Sequence, residues 1–340
     1  MVTRTHLITG SFGAGKTTAI RRLMSSKPGD EWWVVILNEF TDAGLDALAV
    51  AQDARGNYDV RLVAGGCLCC AAEMEFGKQV RDILRQLKPA RLLIEPSGAA
   101  HAGGIVDELA RYEAQGVLTL DAVICLVDPI DAVRIAGSPA RDTTEWSQIQ
   151  AADVLLLSKP DLADGPAQDA FDAIVAEQFP AKRFVGTCSQ GELPEAALAS
   201  FTRAPSFSLL PDDTGRPQPA LETRDFPVGG HVGVETEVTR LGFTAISWIL
   251  PPALWFSRAA ILPRLEWLLE AYGGTLRRVK GVLRTGPGPA WTFQSHGRGL
   301  VSGDSGYRRD SRLEILVATP PTADFLEGWR AMLRAAETSR

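Results

Sequence analysis

Gly10-Ser11-Phe12-Gly13-Ala14-Gly15-Lys16-Thr17-Thr18 sets glycines, a lysine and two hydroxyls in the pattern G-x-x-x-x-G-K-[ST]. That spacing suits phosphate. Glycine lets the backbone curl so that successive N–H groups point at anionic oxygens, where a side chain would block the approach. Gly10, Gly13, Ala14 and Gly15 form this cradle, Lys16 adds a point charge for the β- and γ-phosphates, and Thr17 offers a hydroxyl for Mg²⁺. Thr18 completes the nucleotide-binding stretch as a helix begins, and the positive end of that helix faces the same anion. Residues 5–9 read as a strand and residues 17–24 as a helix with Ile20, Leu23 and Met24 on one face, which is the context the motif requires.

Three further stretches extend this chemistry. Leu92-Leu93-Ile94-Glu95-Pro96-Ser97-Gly98 is an apolar strand ending in a carboxylate. A strand-tip acid after a phosphate loop suits the Mg²⁺ shell, so Glu95 joins Lys16 and Thr17 as the expected catalytic set. Gly98 can offer its N–H to the γ-phosphate and swing when that group leaves. Ser158-Lys159-Pro160-Asp161 follows another apolar strand and resembles the guanine-reading motif Asn-Lys-x-Asp, with Ser in first place. The Asp161 carboxylate can accept from both N1–H and the 2-amino group of guanine. Adenine presents a lone pair at N1 and nothing at C2, leaving a carboxylate unpaired. The Lys159 stem can lie over the base face. Ser158 is shorter than Asn and less able to reach N7. Asn38-Glu39-Phe40-Thr41-Asp42 stands where a switch loop would, and Glu39 and Asp42 can serve Mg²⁺ or a second metal.

Gly65-Gly66-Cys67-Leu68-Cys69-Cys70 is the second strong signal. Three thiols this close do not make a four-cysteine zinc ribbon. They can give two or three thiolates to one soft or borderline ion and leave a position open, a shell suited to transfer rather than storage. Glu39 or Asp42 could complete it. A buried cysteine turn and a Cys67/Cys70 redox pair are the alternatives. Cys125, inside an apolar strand, reads as a small core residue, and Cys188 as filler beside the base pocket.

Taken in this order and spacing, the phosphate loop, Asn-Glu-Phe, Gly-Gly-Cys-x-Cys-Cys, Glu-Pro-Ser-Gly and Ser-Lys-Pro-Asp resemble the CobW-type GTPases. These are P-loop metallochaperones related more distantly to the urease and hydrogenase nickel-insertion GTPases. The resemblance covers nearly the whole chain, including a looser match at residues 278–283 and 312–313 to the family's C-terminal domain. It implies GTP and Mg²⁺ as ligands and delivery of Zn²⁺ or Co²⁺ to a recipient metalloprotein. The ion would be held by Cys67, Cys69 and Cys70 with Glu39 and Asp42 nearby. Ser158, Thr41 (where the switch usually has Gly) and a linker without a His-rich tract depart from the family pattern.

The elements that must position these residues follow from the rest of the chain. At 340 residues it has length for about two domains. Apolar content of 45% and charged content of 22% are those of a globular protein. A net charge of −6 with no basic run argues against nucleic acid as partner. The lack of any apolar stretch of ~18 residues argues against a membrane span. The first strand begins almost at Met1, which leaves no room for a signal peptide and points to the cytoplasm.

Strand-like and helix-like segments alternate through the first two hundred residues, the pattern of a parallel α/β sheet. Strands are expected at residues 33–37, 60–64, 91–94, 122–127, 154–157 and 183–185, with helices at 73–87 and 168–178. The fold class is therefore α/β: a P-loop NTPase with a mainly parallel sheet over residues 1–202, plus a smaller C-terminal α+β domain over 241–340. Pro- and Gly-rich residues 203–240 read as a linker. In the second domain Pro263 reads as the first residue of a helix, and Trp248, Trp255, Trp267 and Trp329 as core. A GTP-binding metal sensor or scaffold with little turnover is the alternative function. The oligomeric state is open, a nucleotide-dependent dimer being one arrangement compatible with the sequence.

Overall fold

The structure, a computed structural model, describes residues 2–37, 50–52, 56–62, 70–98, 100–141, 143–202, 221–240, 242–295, 299–318, 320–335 and 337–338, with side chains in the helix that begins at Cys70 described from Phe76 on. Two compact units emerge: Met1–Gln178 with Lys182–Thr202, and Phe179–Ala181 with Arg203–Arg340.

The first unit is built on seven strands: β1 (Thr3–Gly10), β2 (Trp33–Leu37), β3 (Tyr58–Leu62), β4 (Arg91–Glu95), β5 (Leu118–Val127), β6 (Val154–Ser158) and β7 (Phe184–Cys188). All are parallel, in the order β3-β2-β4-β1-β5-β6-β7. Helices α1 (Lys16–Ser25), α2 (Cys70–Asp82), α3 (Ala102–Ala114), α4 (Pro129–Gly137), α5 (Thr144–Ala151) and α6 (Gly165–Glu177) connect them. The apolar runs that predict strands are continuous because both sheet faces are covered. Leu7, Val34, Ile36, Leu92 and Ile94 enter one core, and their neighbours Ile8, Val35, Leu37 and Leu93 the other. β4 and β5 flank β1, so strand order reverses at β1, and the crevice at its carboxyl end is where such sheets take ligands.

Buried on β1, His6 places Nε2 3.0 Å from the Leu198 carbonyl oxygen and donates to it as the neutral tautomer. Burial pushes its pKa down to about 4, Arg91 and Arg4 act the same way, and the Leu198 contact and Asp121 oppose them. The unfolded chain therefore takes up this proton first, at the ordinary value near 6.5. Stability is full above that pH and is lost as pH falls toward about 4. Between about pH 7 and 4.5 the wild type should lose about 2 kcal/mol more than His6→Gln, whose amide can still donate to Leu198. Urea midpoints measured across that range check this.

The strands of the second unit are β8 (Glu222–Val228), β9 (His231–Arg240), β10 (Phe243–Leu250), β11 (Trp255–Phe256), β12 (Leu276–Leu283), β13 (Ala290–Ser295), β14 (Val301–Ser305), β15 (Ser311–Val317) and β16 (Glu337–Thr338). Seven of them form an antiparallel sheet in the order β14-β13-β12-β15-β10-β9-β8, and β11 pairs with β16. Helices α7 (Arg258–Tyr272) and α8 (Ala323–Ala335) contribute to the core of this unit.

Residues 222–240 correct the expected linker. They form a hairpin whose two-residue turn, Gly229-Gly230, has φ of 55° and 72°, the combination a type I′ turn needs. Pro227 is tolerated because β8 is an edge strand. Residues 203–220 lie outside the described residues. Pro263 is likewise not the start of its helix. Ser257 caps α7 earlier, accepting from the Ala260 N–H, and Pro263 sits in the interior. Trp248 and Trp329 are fully buried as expected, whereas Trp267 is 59% exposed.

Glu235 on β9 is a buried charge that links β9 and β10 to α8. Arg330 on α8 donates to both of its oxygens at 2.8 and 2.6 Å, and the Trp248 indole donates at 2.8 Å. Burial alone would push the Glu235 carboxyl up, but these donors hold it below its ordinary value. Glu235→Ala strands the Arg330 guanidinium and should cost the second unit about 3–5 kcal/mol, read as an earlier urea transition.

Candidate functional site

The phosphate loop joins β1 to α1. Gly13 and Gly15 have φ of 75° and 94°, and the left-handed turn at Gly15 opens directly onto α1. Lys16 folds back over the loop, its ammonium donating to the carbonyls of Gly10 at 3.0 Å and Ser11 at 2.8 Å. Thr17 Oγ1 donates to Glu95 Oε1 at 2.9 Å, so the hydroxyl at the helix start and the carboxylate at the tip of β4 meet across the crevice. Two hard oxygens side by side, beside the glycine loop, are a donor set suited to Mg²⁺.

Gly98 closes this side. It is buried, and a Cβ built on it would lie 2.6 Å from the Phe12 backbone nitrogen. Only glycine can bring this segment so near the loop. A side chain absent from the sequence reading holds it there: the fully buried Gln148 of α5 donates through Nε2 to the carbonyls of Gly98 (3.1 Å) and Ala100 (2.9 Å). Another is Asp131 of α4, which accepts from the Ser11 hydroxyl and from Arg134. Asp128-Pro129, an acid followed by proline, is the helix-start signal that would have located α4.

At the base end, β5 and β6 run side by side, with Val127 opposite Leu157. Ser158 is buried and donates to the Val127 carbonyl at 3.3 Å, spending its hydroxyl within the sheet. Lys159 adopts φ 48°, and its ammonium lies 2.7 Å from Asp128 Oδ2. Asp161 follows in a short 3₁₀ turn, exposed to solvent. The Lys159 N–H donates to the Cys188 carbonyl at 3.2 Å, bringing residues 187–189 beside the motif. Cys125 and Cys188 are both buried, and burial pushes their thiols up to about 12 and about 11, which leaves them inert core residues.

Asn38, Glu39, Thr41, Asp42, Cys67 and Cys69 lie outside the described residues. Of Cys70 the structure describes the backbone alone, as the first residue of α2. Among the described residues no group of three or more His, Cys, Asp or Glu side chains is placed to hold a metal ion, and no helix is long and apolar enough to cross a membrane.

A central parallel strand, a lysine-bearing glycine loop and an acid at the neighbouring strand tip define a P-loop nucleotide-binding fold. The match of residues 4–185 to the family model for the CobW/HypB/UreG nucleotide-binding domain makes the assignment specific, and the chain belongs to this family of P-loop GTPases. It is similar end to end to the zinc chaperone YeiR of Escherichia coli K12, with 27% identity covering 99% of this chain and 100% of that one. The zinc chaperone YjiA of the same organism is 32% identical, covering 65% of this chain and 72% of YjiA. The zinc chaperone CobW of Pseudomonas aeruginosa is 31% identical over 56% and 58% respectively.

Proposed function

We propose that this protein is a GTP-hydrolysing metallochaperone. It captures a transition metal at the Cys67, Cys69 and Cys70 thiolates, with Glu39 and Asp42 nearby, and passes it to a recipient metalloprotein. The Thr17–Glu95 contact at 2.9 Å carries the nucleotide half of this reading. End-to-end similarity to a zinc chaperone supports the metal half and favours zinc over cobalt.

Catalysis is mostly positioning and charge neutralisation. Lys16 exchanges its two carbonyl partners for β- and γ-phosphate oxygens, which are better acceptors for an ammonium. Thr17 and Glu95 are the residues that would hold Mg²⁺, whose charge offsets that of the phosphates. The amides of Gly13, Ala14, Gly15 and Thr18 face the same anion. Gly98 presents its N–H to the γ-phosphate, and losing that contact on hydrolysis lets the segment relax. The cysteine loop then reverts to a weaker metal geometry and the ion leaves.

Base choice rests on Asp161. Steady-state hydrolysis should favour GTP over ATP by about a hundredfold or more in kcat/KM. Equal turnover of the two nucleotides would remove guanine reading from the account.

A further inference from the structure

We propose that Asp128, which lies outside the phosphate-loop and base-reading motifs, is the positioning residue that sets Lys159 against the nucleotide base. The inference rests on the base-site reading above and concerns how that site is held.

The Asp128 carboxylate divides its oxygens between two tasks. Oδ1 accepts the Ile130 N–H at 2.9 Å, capping α4, and Oδ2 accepts the Lys159 ammonium at 2.7 Å. The first contact makes the second rigid. A capping carboxylate is fixed by the helix it caps, so its remaining oxygen is a stationary anchor. Lys159 needs one. Its side chain is 41% exposed and would sample many rotamers without an anchor, while the Asp128 side chain is 13% exposed. A stem that must lie flat over a base gains by having its far end pinned before the base arrives. The backbone cooperates: at φ 48° Lys159 leaves the direction of β6 and turns toward the end of β5, where Asp128 follows Val127. Stacking of the stem is indifferent to the base, so Asp128 governs how tightly a nucleotide binds and Asp161 governs which one.

Isosteric change separates the two tasks. Asp128→Asn keeps an oxygen for the Ile130 N–H and turns an amide NH₂ toward the ammonium, so it retains the cap and loses the hold. Asp128→Ser caps equally well and has no second oxygen. GDP and XDP affinities are measured by calorimetry on the full chain for wild type, Asp128→Asn, Asp128→Ser, Lys159→Met, the Asp128→Asn/Lys159→Met double variant and Asp161→Asn. Both Asp128 variants should weaken GDP roughly fivefold with little change in melting temperature. The double variant should bind no more weakly than Lys159→Met alone, because only one interaction is being removed. In steady state the loss should appear in KM for GTP rather than in kcat.

Asp161→Asn tests the underlying site separately. An amide matches xanthine, which keeps N1–H and carries a carbonyl at C2, so preference should pass from GDP to XDP. If Asp161→Asn switches preference while Asp128→Asn binds GDP as wild type does, or while the two losses multiply in the double variant, Asp128 is a helix cap alone and the proposal is overturned. If Asp161→Asn leaves GDP preferred, the base site itself is misplaced and the role of Asp128 falls with it.

Discussion

Lys16→Ala is expected to lower kcat/KM for GTP by at least about a hundredfold. The size follows from what the ammonium does in each state. Without nucleotide it donates to two carbonyls of its own loop, acceptors that carry only partial charge. With triphosphate bound it meets charge that builds during transfer, inside a site where only 6% of the residue is exposed and screening by water is weak. The loss should therefore be in turnover more than in folding. Phosphate-release kinetics together with a thermal melt separate the two, and a Lys16→Ala variant with wild-type turnover would contradict the assignment.

Gly98→Ala should be nearly as damaging, with kcat down by about a hundredfold, for a geometric reason. The added Cβ would sit 2.6 Å from the Phe12 backbone nitrogen and 2.8 Å from Phe12 Cγ. Phe12 is 62% exposed, so its ring has room to swing away. Its backbone nitrogen cannot move without moving the phosphate loop. Retreat in the other direction is opposed by Gln148, which grips the Gly98 and Ala100 carbonyls from a fully buried position. Displacement falls on the loop, where misplacement by an ångström is costly. Near-normal kcat in Gly98→Ala would mean that the loop and the segment after Glu95 move independently.

The parts of this molecule legible in the sequence are those specified by local spacing. The phosphate loop has fixed intervals, and the buried parallel strands betray themselves as unbroken apolar runs such as Trp-Val-Val-Ile-Leu at β2. Thr17 and Glu95 each read as candidate Mg²⁺ residues, and the hydrogen bond between them, joining residues 78 positions apart, is not read from either stretch alone. What escaped depends on partners distant in sequence. Gln148 lies about fifty residues from the carbonyls it holds, and no periodicity announces a glutamine buried for that purpose. Residues 307–312, Tyr-Arg-Arg-Asp-Ser-Arg, have the composition of a solvated loop and are nonetheless buried. Asp310 accepts from the Tyr307 hydroxyl at 2.8 Å and from Arg312 Nε at 2.9 Å, and such mutual satisfaction is invisible to a hydropathy pattern. The β8–β9 hairpin has the composition of a linker for a related reason, since Pro and Gly mark irregular chain and tight edge-strand turns alike.

Triphosphate occupancy and metal capture, on this view of the molecule, are energetically linked. Metal titrations followed by thiolate charge-transfer absorption test the link most directly, with Co²⁺ observed directly and Zn²⁺ by competition. They are run with a non-hydrolysable GTP analogue, with GDP and without nucleotide, on wild type and Cys69→Ala. Metal should bind at least about tenfold tighter with the GTP analogue than with GDP, metal should raise the preference for the GTP analogue over GDP by the same factor, and Cys69→Ala should abolish the difference. Thiolate ligation of equal affinity in all three nucleotide states would contradict the link.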